Sequence, residues 1–323
     1  MTSLSRLVRY RAITYFDAVR RYGSIREAAR RLNIAASAVN RQLLRFEEDA
    51  GMPLFERLAD GMKLTAAGEV FARHVTTVLQ DEKRAANELN ALRGLRQGEL
   101  NVIAIESLSA AVLPELVGTM SDRHPGIRLS IQTSSAPLIP NALICGSADI
   151  SLALSLPPNP QLQQLASARL ALGAVMRPDH PLAAERTLTL DACAAYPLLL
   201  PTPRLSTHAV LAPHLAELSG NLTIAAELDS LELLRSLTRR VNAIAFHFRI
   251  GLEAELQTRR LAFIPLQSAR PTHSGGLITA ELALYLRRGR TPSAALDAFI
   301  TLARDHLAEL ESTEPACCRI ANG

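Results

Sequence analysis

Between Gly23 and Gly51 the chain reads GSIREAARRLNIAASAVNRQLLRFEEDAG, two short runs of helical period broken at Asn33, with alanines where bulk would be expected. No other stretch restricts the fold so tightly. Ahead of it, Ile13, Phe16 and Val19 recur at helical spacing and give a first amphipathic helix that ends near Tyr22-Gly23. Ser24-Ile-Arg-Glu27 reads as a capping box, the Ser24 hydroxyl taking the Glu27 N–H while the Glu27 carboxylate reaches back, so a second helix starts at about Ile25. Asn33 ends it after Leu32, because asparagine tolerates the left-handed conformation of a helix terminus. Ala28 and Ala29 let the next helix cross closely. That helix, roughly Ser37 to Asp49, turns Val39, Leu43 and Phe46 inward and carries Ser37, Asn40, Arg41 and Leu44 outward, with Arg45 on its flank.

Small hydroxyl and amide groups near a helix N-terminus, followed by arginine, suit a helix that enters the major groove of DNA, where short groups approach base edges and arginine reaches phosphate or guanine. A structural hairpin with solvated arginines is the alternative for these residues alone. The next segment, MPLFERLADGMKLT, favours the groove reading: Asp60-Gly61 suits a tight hairpin turn between two short apolar stretches. Arg57 and Lys63 flank the tip of this wing, placed for phosphates or the minor groove. Charge points the same way. Of the net +4, residues 1–97 hold 17 Lys and Arg against 11 Asp and Glu, and the remaining residues hold 18 against 20. Only the first third suits a polyanion.

Over residues 23–69 the elements S-x-x-x-A-A-x-x-L, A-V-x-R-Q, L-x-F-E-E, G-x-P-L-F-E-R and L-T-x-A-G occur in order. This run resembles the winged helix-turn-helix of LysR-type transcriptional regulators. The resemblance implies DNA contacts by Ser24, Ser37, Asn40, Arg41, Arg45, Arg57 and Lys63. Ala36 stands where many members have glutamine and Asn40 where serine is usual, which bears on the operator sequence. Asp60 stands where the wing often has arginine, which implies weaker attraction to phosphate.

From Thr65, a plausible N-cap, helical pattern runs without proline to about Arg93. Phe71, Val75, Val78, Glu82, Ala85, Leu89 and Leu92 alternate spacings of four and three, a heptad seam with one acidic interruption. Such a helix is roughly 40 Å long at 1.5 Å per residue. Its apolar stripe needs a cover, either a partner helix or the chain's own head. The resemblance implies the partner, with Phe71, Val75, Val78, Ala85, Leu89 and Leu92 pairing two subunits, in a homodimer or homotetramer. Two heads then match half-sites about 34–36 Å apart. Leu95-Arg-Gln-Gly98 reads as a hinge.

The rest alternates strand and helix. Glu99 to Ile105, Ile127 to Gln132 and Asp149 to Ala153 read as strands, with helices at about Val112 to Arg123 and Leu138 to Cys145 between them. After Pro157-Pro158 and Pro160 a second α/β set follows: strands LALGAVM and PLLL, a helix near His208 to Leu218, a strand near Leu222 to Glu227 and a helix Ser230 to Arg239. Ala280 to Arg287 reads as a strand and Pro292 to Leu310 as a helix. Two linked α/β lobes leave a cleft for a small ligand. Ser107, Ser134 and Ser135 fall on strand-to-helix loops of the first lobe, with Leu108 beside them, and Thr202 and Ser230 would face them from the second. Each serine singly is also an ordinary cap or turn residue.

H-P-G-I at His124, G-S-A-D-I-S at Gly146, R-P-D-H-P-L at Arg177 and the closing S-A-A-L-D-A-F extend the resemblance to the family's effector domain, related to periplasmic-type binding proteins. The fold class expected is therefore α/β with a mainly helical N-terminal head: a winged helix-turn-helix (1–64), a linker helix and hinge (65–97), then a two-lobed periplasmic-binding-protein-like domain (98–310). Its lobe I spans about 98–160 and 270–310, and lobe II about 161–269. Residues 311–323 are expected to be a disordered tail. One departure is Arg240-Val-Asn242, where the family commonly has a Gly-x-Gly turn, followed by Phe246-His247-Phe248. Phe246 and His247 are candidates to reshape the cleft, a core histidine being the alternative for His247.

The chain shows no G-x-S-x-G elbow, no P-loop, and no metal-spaced His/Cys cluster. Cys145, Cys193, Cys317 and Cys318 have no CxxC spacing. The expectation is a non-enzyme without cofactor or metal, cytoplasmic and not membrane-bound. Its partners are promoter DNA, a small-molecule effector, a second copy of itself and RNA polymerase. A ligand-independent architectural DNA-binding protein, or an enzyme fused to a DNA-binding head, are the other classes compatible with these residues.

Overall fold

The computed structural model describes residues 10–59, 61–92, 98–218, 222–268 and 276–314. Contacts divide the chain into two compact units: residues up to Leu89 together with Ile144–Ser147, and the rest. The head opens with α1 (Tyr10–Tyr22), α2 (Ile25–Leu32) and α3 (Ala36–Ala50). Ser24 caps α2 by accepting from the Glu27 N–H at 3.4 Å. The Glu27 carboxylate does not reach back; Arg30 and Arg31, at 2.8 and 3.0 Å, engage it instead. Asn33 ends α2 at φ 54°, and its N–H and that of Ile34 return to α2 carbonyls. Ala28 and Ala29 are buried where α2 meets its neighbours.

The wing is β1 (Phe55–Leu58) against β2 (Gly61–Leu64), with Leu58 opposite Gly61. Ala59 lies in the turn and Gly61 already belongs to β2; Asp60, of the expected Asp60-Gly61 turn, lies outside the described residues. The Met62 N–H donates to the Gly23 carbonyl at 2.7 Å, and a Cβ on Gly61 would sit 2.5 Å from that carbonyl oxygen. Glu47 accepts from the Leu54 and Phe55 N–H groups, at 2.8 and 3.0 Å, and so anchors the wing to the end of α3.

α4 (Ala66–Leu92) begins where expected, with the Thr65 hydroxyl accepting from the Gly68 N–H at 3.0 Å. Its first half is not a free pairing surface. Phe71 packs on Phe16 and Phe46, with ring centroids 5.0 and 5.4 Å apart, Val75 is fully buried in the head core, and Val78 packs against it. Assigning Phe71, Val75 and Val78 to a subunit interface is therefore corrected: the head core, with the rings of Phe16 and Phe46, already packs against that face. Ala85 and Leu89, further along, are exposed. The Leu92 side chain, the 95–97 part of the hinge and Cys317-Cys318 lie outside the described residues.

The second unit is built on β3 (Gly98–Ala104), α5 (Val112–Arg123), β4 (Ile127–Thr133), α6 (Ile139–Ile144), β5 (Ile150–Leu154), β6 (Leu162–Met176), β7 (Leu188–Thr189), α7 (Leu190–Ala194), β8 (Leu198–Pro201), α8 (Ser206–Leu215), β9 (Ile224–Leu228), α9 (Leu231–Thr238), β10 (Ile244–Phe248), α10 (Glu253–Gln257), β11 (Ala262–Gln267), β12 (Thr279–Arg287) and α11 (Ala294–Thr313). Strand order is β4-β3-β5-β12-β6-β10-β8-β9, with β11 pairing β6 and β7. β3 is parallel to β4 and β5, and β8 to β9 and β10.

β6 runs through both lobes. Residues 162–171 pair with β12, and residues 172–176 pair with β10 on one side and β11 on the other. The lobe boundary is thus moved from 160/161 to the partner switch at Ala171/Leu172. There the Ala171 N–H donates to the buried Glu314 carboxylate at 3.1 Å. Residues 311–314, expected in the tail, complete α11 and supply this contact. Asp149 of the G-S-A-D-I-S run is likewise structural, accepting from the Asn101 N–H and from Arg290 at 2.7 and 2.6 Å.

Candidate DNA interface and effector site

On α3, Ser37, Arg41 and Arg45 are exposed, and so is Lys63 on the wing. Asn40 is half-buried because its side-chain carbonyl accepts from Arg57 at 2.7 Å. That contact joins α3 to the wing and leaves the Asn40 amide N–H groups free to donate. Ser24 serves the α2 cap, its expected local role.

In the second unit the loops after β3, β4, β8 and β9 converge, all at strand carboxyl ends, where open α/β sheets place ligands. They enclose a cavity of about 290 Å³ whose lining includes Ser107, Ser134 and Ser135 from one lobe and Arg204, Ser206, Thr207 and Asp229 from the other. Arg204 and Asp229 face each other at 3.5 Å. α8 has Leu205 as its N-cap and no side-chain cap, and Ser206 and Thr207 of its first turn line this space. A second cavity, about 210 Å³, shares Glu106, Ser107 and Leu231 and adds Ser109, Ala110, Glu232, Arg235 and His247.

Of the expected contacts, Ser107, Ser134, Ser135 and His247 therefore come together around these cavities. Leu108 and Phe246 do not: both are fully buried core residues lining neither. Ser230 caps α9 by accepting from the Leu233 N–H at 3.3 Å. Thr202 donates its N–H to Leu228, and its hydroxyl is buried without a partner outside both linings. Glu106, Arg204, Thr207 and Asp229 were missed. Arg204 and Asp229 belong to loops after different strands, and no local pattern announces their meeting.

The Ser107 hydroxyl oxygen and His247 Nε2 are also buried without hydrogen-bond partners, an unfavourable state that a ligand or water would relieve. His247 sits on β10 opposite Gly173, its Nδ1 against the Phe248 carbonyl. Burial pushes its pKa down to about 4, so the ring is neutral at physiological pH. Burial also pushes the Cys193 thiol up to about 12, which makes it an inert core residue.

Residues 10–69 match the bacterial regulatory helix-turn-helix of the lysR family, and residues 93–308 match the LysR substrate binding domain. The chain belongs to the LysR family. This LysR-family regulator is 27% identical over 295 residues to the RuBisCO operon transcriptional regulator of Allochromatium vinosum, covering 90% of this chain and 94% of that one. A full-length OxyR from Pseudomonas aeruginosa has the same fold, with a TM-score of 0.66 at 16% identity over 95% of both chains. CbnR in complex with its target DNA superposes with a TM-score of 0.54 at 20% identity, over 93% of this chain and 99% of that one. The regulator is thus a DNA-binding transcription factor with an effector-binding domain and not an enzyme. Among the described residues no helix is long and apolar enough to cross a membrane.

Proposed function

We propose that this regulator sets Ser37, Asn40 and Arg41 into the major groove and Arg57 and Lys63 against the flanking backbone. A small molecule seated between the lobes biases its equilibrium between two DNA-bound arrangements. A ligand switches the protein only by binding one arrangement better than the other. The observation that carries this reading is the convergence of strand-end loops on a cavity lined by the partnerless Ser107 hydroxyl, in a chain that also holds a winged helix with Arg41 exposed. Two copies pair through the exposed part of α4, with Ala85 and Leu89, and the dimer works in the cytoplasm at promoters, where it meets RNA polymerase. It needs no cofactor besides the effector.

Arg41→Ala tests the DNA half. A phosphate contact predicts weaker operator binding and a salt slope shallower by about one; a guanine contact predicts relaxed preference at one base pair. A folded variant with unchanged affinity, slope and preference contradicts the assignment. Ser107→Ala tests the effector half, with a blunted effector response in a promoter reporter as the expected outcome.

A further inference from the structure

The smaller cavity beside the effector site gathers three buried polar atoms that nothing in the protein satisfies. Its wall includes Ser107, Arg235 and His247, and the Ser107 hydroxyl oxygen, Arg235 Nε and His247 Nε2 each lack a hydrogen-bond partner. Their roles are complementary. With Nδ1–H donating to the Phe248 carbonyl, His247 Nε2 is left as an acceptor. Arg235 Nε–H only donates, and a serine hydroxyl does either. The rest of the guanidinium is already committed, one end to the Gly251 carbonyl and the other to Glu232 at 2.6 Å.

We propose that this cavity recognises a hydroxyl group of the effector, which donates to His247 Nε2 and accepts from Arg235 Nε–H, with the Ser107 hydroxyl as a further donor or acceptor. The inference rests on the effector reading of the adjoining interlobe cavity. Other groups fit less well. A carboxylate would meet Glu106 and Glu232 in the wall and a histidine that offers only a lone pair. An ammonium would satisfy His247 but turn a cation toward Arg235, whose N–H would stay unpaired. A methyl would leave all three atoms unsatisfied, and a buried polar group without a partner is costly. The neutral ring of His247 keeps this preference constant over physiological pH.

The test titrates full-length protein with cyclohexanol, cyclohexylammonium and cyclohexanecarboxylate, one ring bearing three head groups, and reads each Kd by ligand-observed NMR. Cyclohexanol is expected to bind at least about tenfold more tightly than the other two, as one satisfied buried hydrogen bond implies. Arg235→Lys, which keeps the charge beside Glu232 but removes Nε–H, should weaken it by a similar factor, as should His247→Phe. Arg235→Lys decides the matter if His247→Phe does not fold. Tighter binding of the amine or carboxylate, cyclohexanol binding indifferent to Arg235→Lys, or a cavity that holds only ordered water and none of the probes would each overturn the proposal. Ser135→Ala, which alters the larger cavity alone, separates the two readings in a promoter reporter. If it changes induction while cyclohexanol fails to bind, the hydroxyl proposal falls and the effector site stands. If it leaves induction untouched while cyclohexanol binds, the effector reading falls instead.

Discussion

At the scale of single residues, the contact between Asn40 and Arg57 makes two expected DNA-binding side chains one unit. With its carbonyl engaged, Asn40 presents donors, which suits acceptor edges such as guanine O6 and N7 or thymine O4 better than the paired donor and acceptor of adenine. Losing either partner frees the other, so a double-mutant cycle of Asn40→Ala and Arg57→Ala in operator affinity should depart from additivity by about 1 kcal/mol. Strict additivity would show that the two act separately. His247 makes a prediction of a different kind. Burial lowers its folded pKa from 6.5 to about 4, Arg235 adds to the effect, and the Phe248 carbonyl and Glu255 oppose it. Below pH 6.5 the unfolded chain takes up a proton that the folded chain refuses. Its contribution to stability is therefore full above that pH and falls as the pH drops toward 4, by about 3 kcal/mol across the window. Urea unfolding at pH 7.5 and 4.5 should show a smaller acid loss for His247→Gln than for the native chain.

At the scale of elements, close approaches decide what is tolerated. A Cβ on Gly68 of α4 would lie 2.0 Å from the Leu54 carbonyl oxygen, so Gly68→Ala must push α4 away from the wing. The expected cost is about 2–3 kcal/mol of stability, measured as a lower urea midpoint with unchanged m-value. Much of this element structure was legible locally. Ser24, Asn33 and Thr65 announce helix ends through their own capping chemistry, and the βαβ order follows from alternation of pattern. What local pattern does not carry is which surface covers an apolar face. Phe71 and Val75 have the same spacing whether they meet a second chain or Phe16 and Phe46. The 15-residue β6 was read only in its second half, because the Gln163-Gln164 part of the strand is polar on its exposed edge. β11 was not recognised, since Pro265 within AFIPLQ argues against a strand until the partner strands are known. In the site, serines on strand-end loops were readable, whereas Leu108 and Phe246 share those neighbourhoods in sequence and turn into the core.

At the scale of the whole molecule, one chain joins a DNA-binding head and an effector-binding domain, and the exposed part of α4 is the surface proposed for pairing two chains. Leu89 is 57% exposed, and the proposed pairing would take this apolar residue out of water. Leu89→Glu should shift the protein toward monomer in sedimentation equilibrium and weaken binding to a two-half-site operator far more than to a single half-site. The most direct test of the central claim is genome-wide mapping of bound DNA for the native regulator and for Arg41→Ala in parallel. Discrete promoter-proximal sites with an imperfect dyad, lost or broadened in Arg41→Ala, are the predicted result. Diffuse occupancy without preferred sites, indistinguishable between the two proteins, would contradict it.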